Sequence, residues 1–202
     1  MPLIIGLTGG IASGKSTVAN MLRDKNIPIV DADVVAREVV EIGTDTYQKL
    51  VSEFGQEILN DDKTLNRPKL GSIIFQNQEK REKLNNIMHP SIRTSMKEKT
   101  QQYLEEGHEV VIMDIPLLFE SKLTHLVDKT LLVYVTKETQ LKRLMERNDL
   151  TEKEATDRIN SQMPLSEKVK LSHAVIDNNG SLTKTEQQLN DILTNWHIQK
   201  PS

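Results

Sequence analysis

Residues 3–17, LIIGLTGGIASGKST, constrain this chain more than any other stretch. Leu3, Ile4, Ile5 and Leu7 form a short apolar run, suited to a strand buried on both faces. Gly9-Gly10-Ile11-Ala12-Ser13-Gly14-Lys15-Ser16 then fits G-x-x-x-x-G-K-[ST], and from Thr17 a helical pattern puts Val18, Met21 and Leu22 on one face. Strand, glycine loop and helix in that order are the setting of a loop that cradles the phosphates of a nucleoside triphosphate. The glycines let the backbone curl so that N–H groups point inward, and the helix N-terminus adds its positive dipole end. In such a loop Lys15 reaches the β- and γ-phosphates and the Ser16 hydroxyl ligates Mg²⁺. Thr17 either serves the first helical turn or contacts the α-phosphate.

The chain has 202 residues, enough for one large domain or for a core with inserted pieces. Net charge is −3, which argues against general nucleic-acid binding and leaves room for a local basic pocket. There is no cysteine, which excludes disulfides and thiolate metal sites. No apolar run approaches a membrane span, and no basic region precedes the first apolar run, so a cytoplasmic location is expected.

Residues 27–30 read as a second strand, ending in Asp31-Ala32-Asp33. Residues i and i+2 of an extended segment share a side, so both carboxylates project together, near the phosphates if this strand parallels the first. Asp33 alternatively N-caps a helix over 34–40. Residues 44–106 look like an all-helical insertion: helices over 44–54, 69–76 and 78–88, a break at His89-Pro90, and a helix from Pro90 to Glu106. Arg67 is either solvated or in contact with an anionic substrate. His89 either caps and packs or takes part in binding. Residues 109–113 form a third strand, and Asp114 after it resembles a Walker B acid, which orders Mg²⁺. The apolar turn 115–120, IPLLFE, is a plug between layers or a substrate wall. A fourth strand over 130–135 leads to a helix over 137–147 carrying Arg143 and Arg147. Thr151 and Glu154 form a capping box on a further helix bearing Arg158 and Gln162. These arginines either pair with nearby acids or close over a triphosphate. A fifth strand over 173–177, a turn at Asn178-Asn179-Gly180 and a helix over 182–196 complete the chain.

Five strands separated by helical stretches predict an α/β fold, with a parallel sheet covered by helices on both faces. No N-K-x-D guanine-reading stretch occurs, and the insertion and the arginine segment suit a small-molecule kinase. GLTGGIASGKST, DAD at 31–33, LNR at 65–67, HP at 89–90, IPLLFE at 115–120 and DNNG at 177–180 together resemble the dephospho-CoA kinase family, nearly end to end and in the family's order. Ile115 stands where that family often has valine.

The resemblance implies a three-layer P-loop core with a five-stranded parallel sheet (about 1–40, 107–140 and 172–202), a helical CoA domain (about 41–106) and a lid (about 141–171). It implies an ATP-dependent phosphotransferase acting on the ribose 3′-hydroxyl of dephospho-CoA, the last step of coenzyme A biosynthesis, with Mg²⁺ accompanying ATP at Ser16. The ATP site would comprise Ala12, Ser13, Gly14, Lys15, Ser16, Thr17, Arg143 and Asn178, the last approaching the adenine. Asp33 would be the general base, assisted by Lys15 and Arg143. Arg67, His89, Leu117, Leu118 and Phe119 would bind the acceptor. The expected working form is a monomer or weak homo-oligomer, without nucleic-acid or membrane partners. Alternative readings are a kinase of this fold acting on another small metabolite, and a non-enzymatic ATP-dependent regulator.

Overall fold

A computed structural model describes residues 2–75 and 77–198. Its sheet has five strands in the order β2-β3-β1-β4-β5, with β1 at Leu3–Thr8, β2 at Ile29–Asp31, β3 at Val110–Asp114, β4 at Lys129–Tyr134 and β5 at Ala174–Asp177. β1 runs parallel to both β3 and β4, with Ile5 level with Ile112 and Leu7 with Leu131. β4 in turn runs parallel to β5. A central parallel strand is covered on both faces, which is why β1 reads as a continuous apolar run rather than an alternating one.

β4 is buried in the same way, and its residues separate the two faces of the sheet. Leu131 and Val133 join Ile5, Leu7, Ile112 and Ile176 in a core with Val18, Ala19 and Leu22 of α1 (Lys15–Asp24) and Leu189 and Leu193 of a C-terminal helix, Leu182–Asn195. Leu132 points the other way and packs with Leu165. Gly6 in β1 is also a packing requirement: a Cβ there would stand 2.9 Å from Leu118 Cδ2, so the missing side chain makes room for the apolar turn after β3.

The chain divides into two compact units, residues 1–30 with 100–202, and residues 31–99. The second therefore takes in α2 (Ala32–Glu38) ahead of the helical stretch expected to begin near residue 41. It continues with α3 (Asp45–Phe54), α4 (Arg67–Phe75) and most of α5 (Gln78–Glu105). Its own core gathers Val40, Leu50, Phe54, Ile58 and Leu70. The sequence ends α4 at Gln76, which lies outside the described residues.

The expected break at His89-Pro90 does not occur. α5 is one helix of 28 residues with Pro90 inside it. Proline removes the N–H that would bond the carbonyl four residues back. Here that carbonyl belongs to Asn86, and Asn86 and Pro90 are both exposed, so water can take the place of the lost donor. Past β4 come α6 (Lys137–Asn148) and α7 (Glu152–Asn160), the latter opened by the expected Thr151–Glu154 capping box. α8 (Leu165–Leu171) follows, where the sequence pattern predicts no helix, and the C-terminal helix is α9.

The start of α2 also differs from expectation. Asp31, not Asp33, is the N-cap: its Oδ1 accepts from the N–H groups of Asp33 and Val34 at 2.8 and 3.2 Å. Asp33 sits in the first turn, exposed. Asp31→Ala is expected to lower unfolding stability by about 1 kcal/mol, while Asp33→Asn leaves it within about 0.5 kcal/mol. Urea unfolding of both variants checks this, and equal losses would contradict the assignment of the cap.

Candidate active site

β1 delivers the chain to the glycine loop, and α1 starts at Lys15, two residues ahead of the predicted Thr17, so Lys15 and Ser16 stand in its first turn. Gly14 precedes them with φ of 85°, in the left-handed region that favours glycine. A Cβ there would also lie 2.1 Å from Asn178 Nδ2. The loop is closed on itself by Ser13, whose N–H donates to the Gly10 carbonyl (3.1 Å) and whose Oγ accepts from the Gly10 N–H (3.2 Å).

Three alternate carbonyls of the loop are held from outside it. The Gly9 oxygen accepts from Lys168 Nζ at 2.7 Å, the Ile11 oxygen from Gln140 Nε2 at 2.8 Å, and the Ser13 oxygen from Asn178 Nδ2 at 2.9 Å. In a planar trans peptide the carbonyl of one residue and the N–H of the next point in opposite directions. Pinning the carbonyls of Ile11 and Ser13 outward therefore turns the N–H groups of Ala12 and Gly14 toward the opposite side, where an anion can collect them. The Ile11 N–H is taken by Gln162 Oε1 at 2.9 Å.

Asp114 ends β3, buried, and its Oδ1 is paired with Lys15 Nζ. The sequence placed a Walker B acid here, and the fold brings it directly to the loop lysine. The donor set fits a nucleotide-bound Mg²⁺: the Ser16 hydroxyl is exposed at the helix start and the Asp114 carboxylate lies beside Lys15. Among the described residues no group of three His, Cys, Asp or Glu side chains forms a metal cage. Mg²⁺ does not require one, because it is held by one or two protein ligands together with phosphates and water.

Arg143 of α6 is half-buried and donates from Nη2 to the Asn178 carbonyl at 2.9 Å. Its Nη1 is 3.9 Å from where a Gly14 Cβ would stand, so the guanidinium lies beside the loop. Arg147, one turn on, is exposed and bonds its neighbour Asn148 instead, and Arg158 is exposed on α7. The pairing of 143 and 147 on one helix face does not give them a common target.

The Asn178 side chain is committed to the loop. It is buried, donates to Ser13, and accepts from the Thr185 hydroxyl at 2.7 Å. Of the apolar turn, Leu117 is exposed, Leu118 is wholly buried and Phe119 is nearly so.

The second unit carries the remaining candidates. Arg67 opens α4, exposed, where Asn66 Oδ1 accepts from the Lys69 N–H at 2.9 Å. His89 lies at mid-length on α5. Partial burial, and then the Arg93 guanidinium one turn on, hold its imidazole below the ordinary value of 6.5.

Sequence pattern alone did not find Gln140, Lys168 or Thr185. A glutamine or lysine on an amphipathic helix reads as solvated, and these meet the loop only through contacts 129 and 159 residues apart along the chain. Gln162 was read as part of a helix, but α7 ends at Asn160, and the residue reaches Ile11 from the connection that follows.

A family model for dephospho-CoA kinase matches residues 3–184. The chain is 57% identical over 198 residues to a dephospho-CoA kinase of Bacillus cereus, covering 98% of this chain and 99% of that one. Among solved structures, that of TT1252 from Thermus thermophilus superposes with a TM-score of 0.82 at 34% identity, covering 96% and 97% of the two chains. A dephospho-CoA kinase from Campylobacter jejuni gives 0.75 at 30% identity, covering 97% and 98%.

A His89 with depressed basicity has a definite pH signature. Between its folded midpoint and about 6.5 the unfolded chain holds more protons at this site. The His89 contribution to stability is therefore intact above 6.5 and lost as pH falls below it. Imidazole NMR titration is expected to give a midpoint below 6.5, and Arg93→Ala is expected to raise it part of the way, since burial is the larger cause. A wild-type midpoint at or above 6.5 would contradict this.

Proposed function

The chain belongs to the dephospho-CoA kinase family, and we propose that Lys15, Arg143 and Asp33 carry its reaction. It transfers a phosphoryl group from ATP to the 3′-hydroxyl of the ribose of dephospho-CoA, giving CoA and ADP, the last step of coenzyme A biosynthesis. The observation that best supports the division of roles is the loop geometry: outward-pinned carbonyls at Ile11 and Ser13, with Lys15 in the first turn of α1.

In this reading the N–H groups of Ala12 and Gly14 receive the β-phosphate, Ser13 shapes the loop by closing it on Gly10, and Thr17 lies near the α-phosphate. Lys15, whose ammonium rests on Asp114, is shared with the γ-phosphate when ATP arrives. Ser16 and Asp114 would hold the Mg²⁺ that accompanies ATP, which would supply positive charge to the triphosphate. Arg143 stabilises the negative charge that moves onto the transferring phosphoryl and the leaving ADP. Asn178 contributes by holding Ser13 and Arg143 rather than by free side-chain contact.

Asp33 is the general base. Its carboxylate is exposed and not spent on the helix cap, which Asp31 supplies. As the O3′–P bond forms and the bond from the γ-phosphorus to ADP breaks, the hydroxyl proton passes to Asp33. The transfer does not call for a strong base, because the proton leaves late, when the phosphoryl is metaphosphate-like. Arg67 and His89 serve the acceptor side. With its basicity depressed, His89 meets an anion at neutral pH chiefly through a hydrogen bond. Leu117 supplies the exposed apolar contact of the groove, backed by Leu118 and Phe119.

Residues 141–171 act as the lid, rooted at the loop through Arg143 and Gln162. ATP as co-substrate supports a cytoplasmic location. Among the described residues no helix is long and apolar enough to cross a membrane.

Steady-state kinetics of two variants test the roles. Asp33→Asn is expected to lower kcat by about a hundredfold with little change in the KM for ATP. A defect confined to ATP binding would move Asp33 out of the base role. Arg143→Ala is expected to lower kcat by roughly a hundredfold while the KM for dephospho-CoA moves little. A raised acceptor KM at unchanged kcat would place Arg143 on the acceptor instead.

A further inference from the structure

We propose that Lys168 is a positioning residue for phosphoryl transfer, holding the phosphate loop and the turn after Asp114 in a common register. The proposal rests on the assignment of Lys15 and Asp114 to the ATP site.

Among the described residues Lys168 is the largest of the fully buried side chains, with no exposed surface. Its ammonium donates to the Gly9 carbonyl at 2.7 Å and lies 3.5 Å from the Pro116 carbonyl and 2.8 Å from Glu120 Oε1. An ammonium has three donors, and three oxygens converge on it. Without a cation at their centre, those oxygens would turn their lone pairs toward one another around a fully buried side chain.

The two carbonyls matter for where they lie in the chain. The Gly9–Gly10 peptide opens the phosphate loop, with its carbonyl on Lys168 and its N–H on Ser13 Oγ, so the plane is fixed from both sides. Pro116 lies two residues past Asp114, and its carbonyl also accepts from the Thr8 hydroxyl at 3.1 Å, just before the loop. Lys168 thus ties the backbone leading to Lys15 to the backbone leaving Asp114, the two members of the ion pair. Glu120 completes the link: its Oε1 also accepts from the Met163 N–H at 3.2 Å, while its Oε2 is buried with no hydrogen-bond partner among the described residues. Glu120 ends the apolar turn that carries Leu117, so one ammonium joins the ATP loop, the acceptor wall and the start of α8. Arginine cannot substitute: a planar guanidinium spreads its donors along a fork, whereas these acceptors meet at a point.

The test is kinetic, with an assay of folding kept separate. Lys168→Met is expected to lower kcat per folded molecule by about tenfold or more and to weaken binding of a non-hydrolysable ATP analogue by about fivefold, read by calorimetry. Lys168→Arg, which keeps the charge, is expected to fold and still to lose kcat by about tenfold. A purely structural lysine would lower the melting temperature of these variants but leave kcat and nucleotide affinity per folded molecule at wild-type values, and that result would overturn the proposal. Where neither variant folds, the wild-type Lys168 ammonium resonance decides. It is expected to shift when the analogue is added, and an unmoved resonance at saturation would overturn the proposal. A wild-type enzyme that turned over dephospho-CoA but failed these tests would remove Lys168 alone. Loss of analogue binding on Lys15→Ala, measured beside them, checks the ATP-site assignment independently.

Discussion

A phosphate loop has few hydrogen bonds of its own, and its shape depends on what holds its carbonyls. Every buried backbone polar group needs a partner. In this chain the partners of Gly9, Ile11 and Ser13 are side chains from α8, α6 and the turn after β5. Each bond satisfies an oxygen and, through the planarity of the peptide, also aims the next N–H. The anion site is a consequence of these outward bonds as much as of the glycines. Glycine is needed where the backbone turns left-handed at Gly14 and where Asn178 presses against it.

The same bonds explain how the parts of the first unit answer to one another. α6 and the segment following α7 grip both polar groups of Ile11, and Arg143 grips the carbonyl of the asparagine that holds Ser13. Any movement of the loop on meeting phosphate is therefore felt by the arginine-bearing segment without an intermediary. In the second unit the separation of duties is chemical. Asp31 spends its carboxylate on the start of α2, which leaves that of the exposed Asp33 uncommitted to the cap.

The sequence made part of this legible. The strand, loop and helix at the start could be read because a local motif encodes a local shape. The order of strands and helices could be read because apolar runs alternate with helical periods. Asp114 could be singled out because a strand ending in aspartate is a local signal, and the structure sets it on Lys15. Two local signals misled. Pro90 marked a break, yet its solvent-facing position lets α5 continue through it. Asp33 competed for a cap that Asp31 takes. Lys168, Gln140 and Thr185 were illegible for a different reason. Their chemistry arises from packing between segments far apart in sequence, and a lone lysine in a short amphipathic helix carries no mark of burial. Leu118 shows the reverse case: its motif suggested a groove wall, and the absent side chain of Gly6 lets it sink beneath the sheet.

The most direct test of the account follows the phosphorus atom. ATP labelled at the γ-phosphate is incubated with Mg²⁺, dephospho-CoA and the enzyme, beside parallel reactions with adenosine, AMP and shikimate, and the products are identified by mass and ³¹P NMR. Label is expected on the 3′-oxygen of the ribose, giving CoA in equal amount to ADP, and none on the other acceptors. Labelled inorganic phosphate with unchanged dephospho-CoA, or label on a different acceptor, would contradict it.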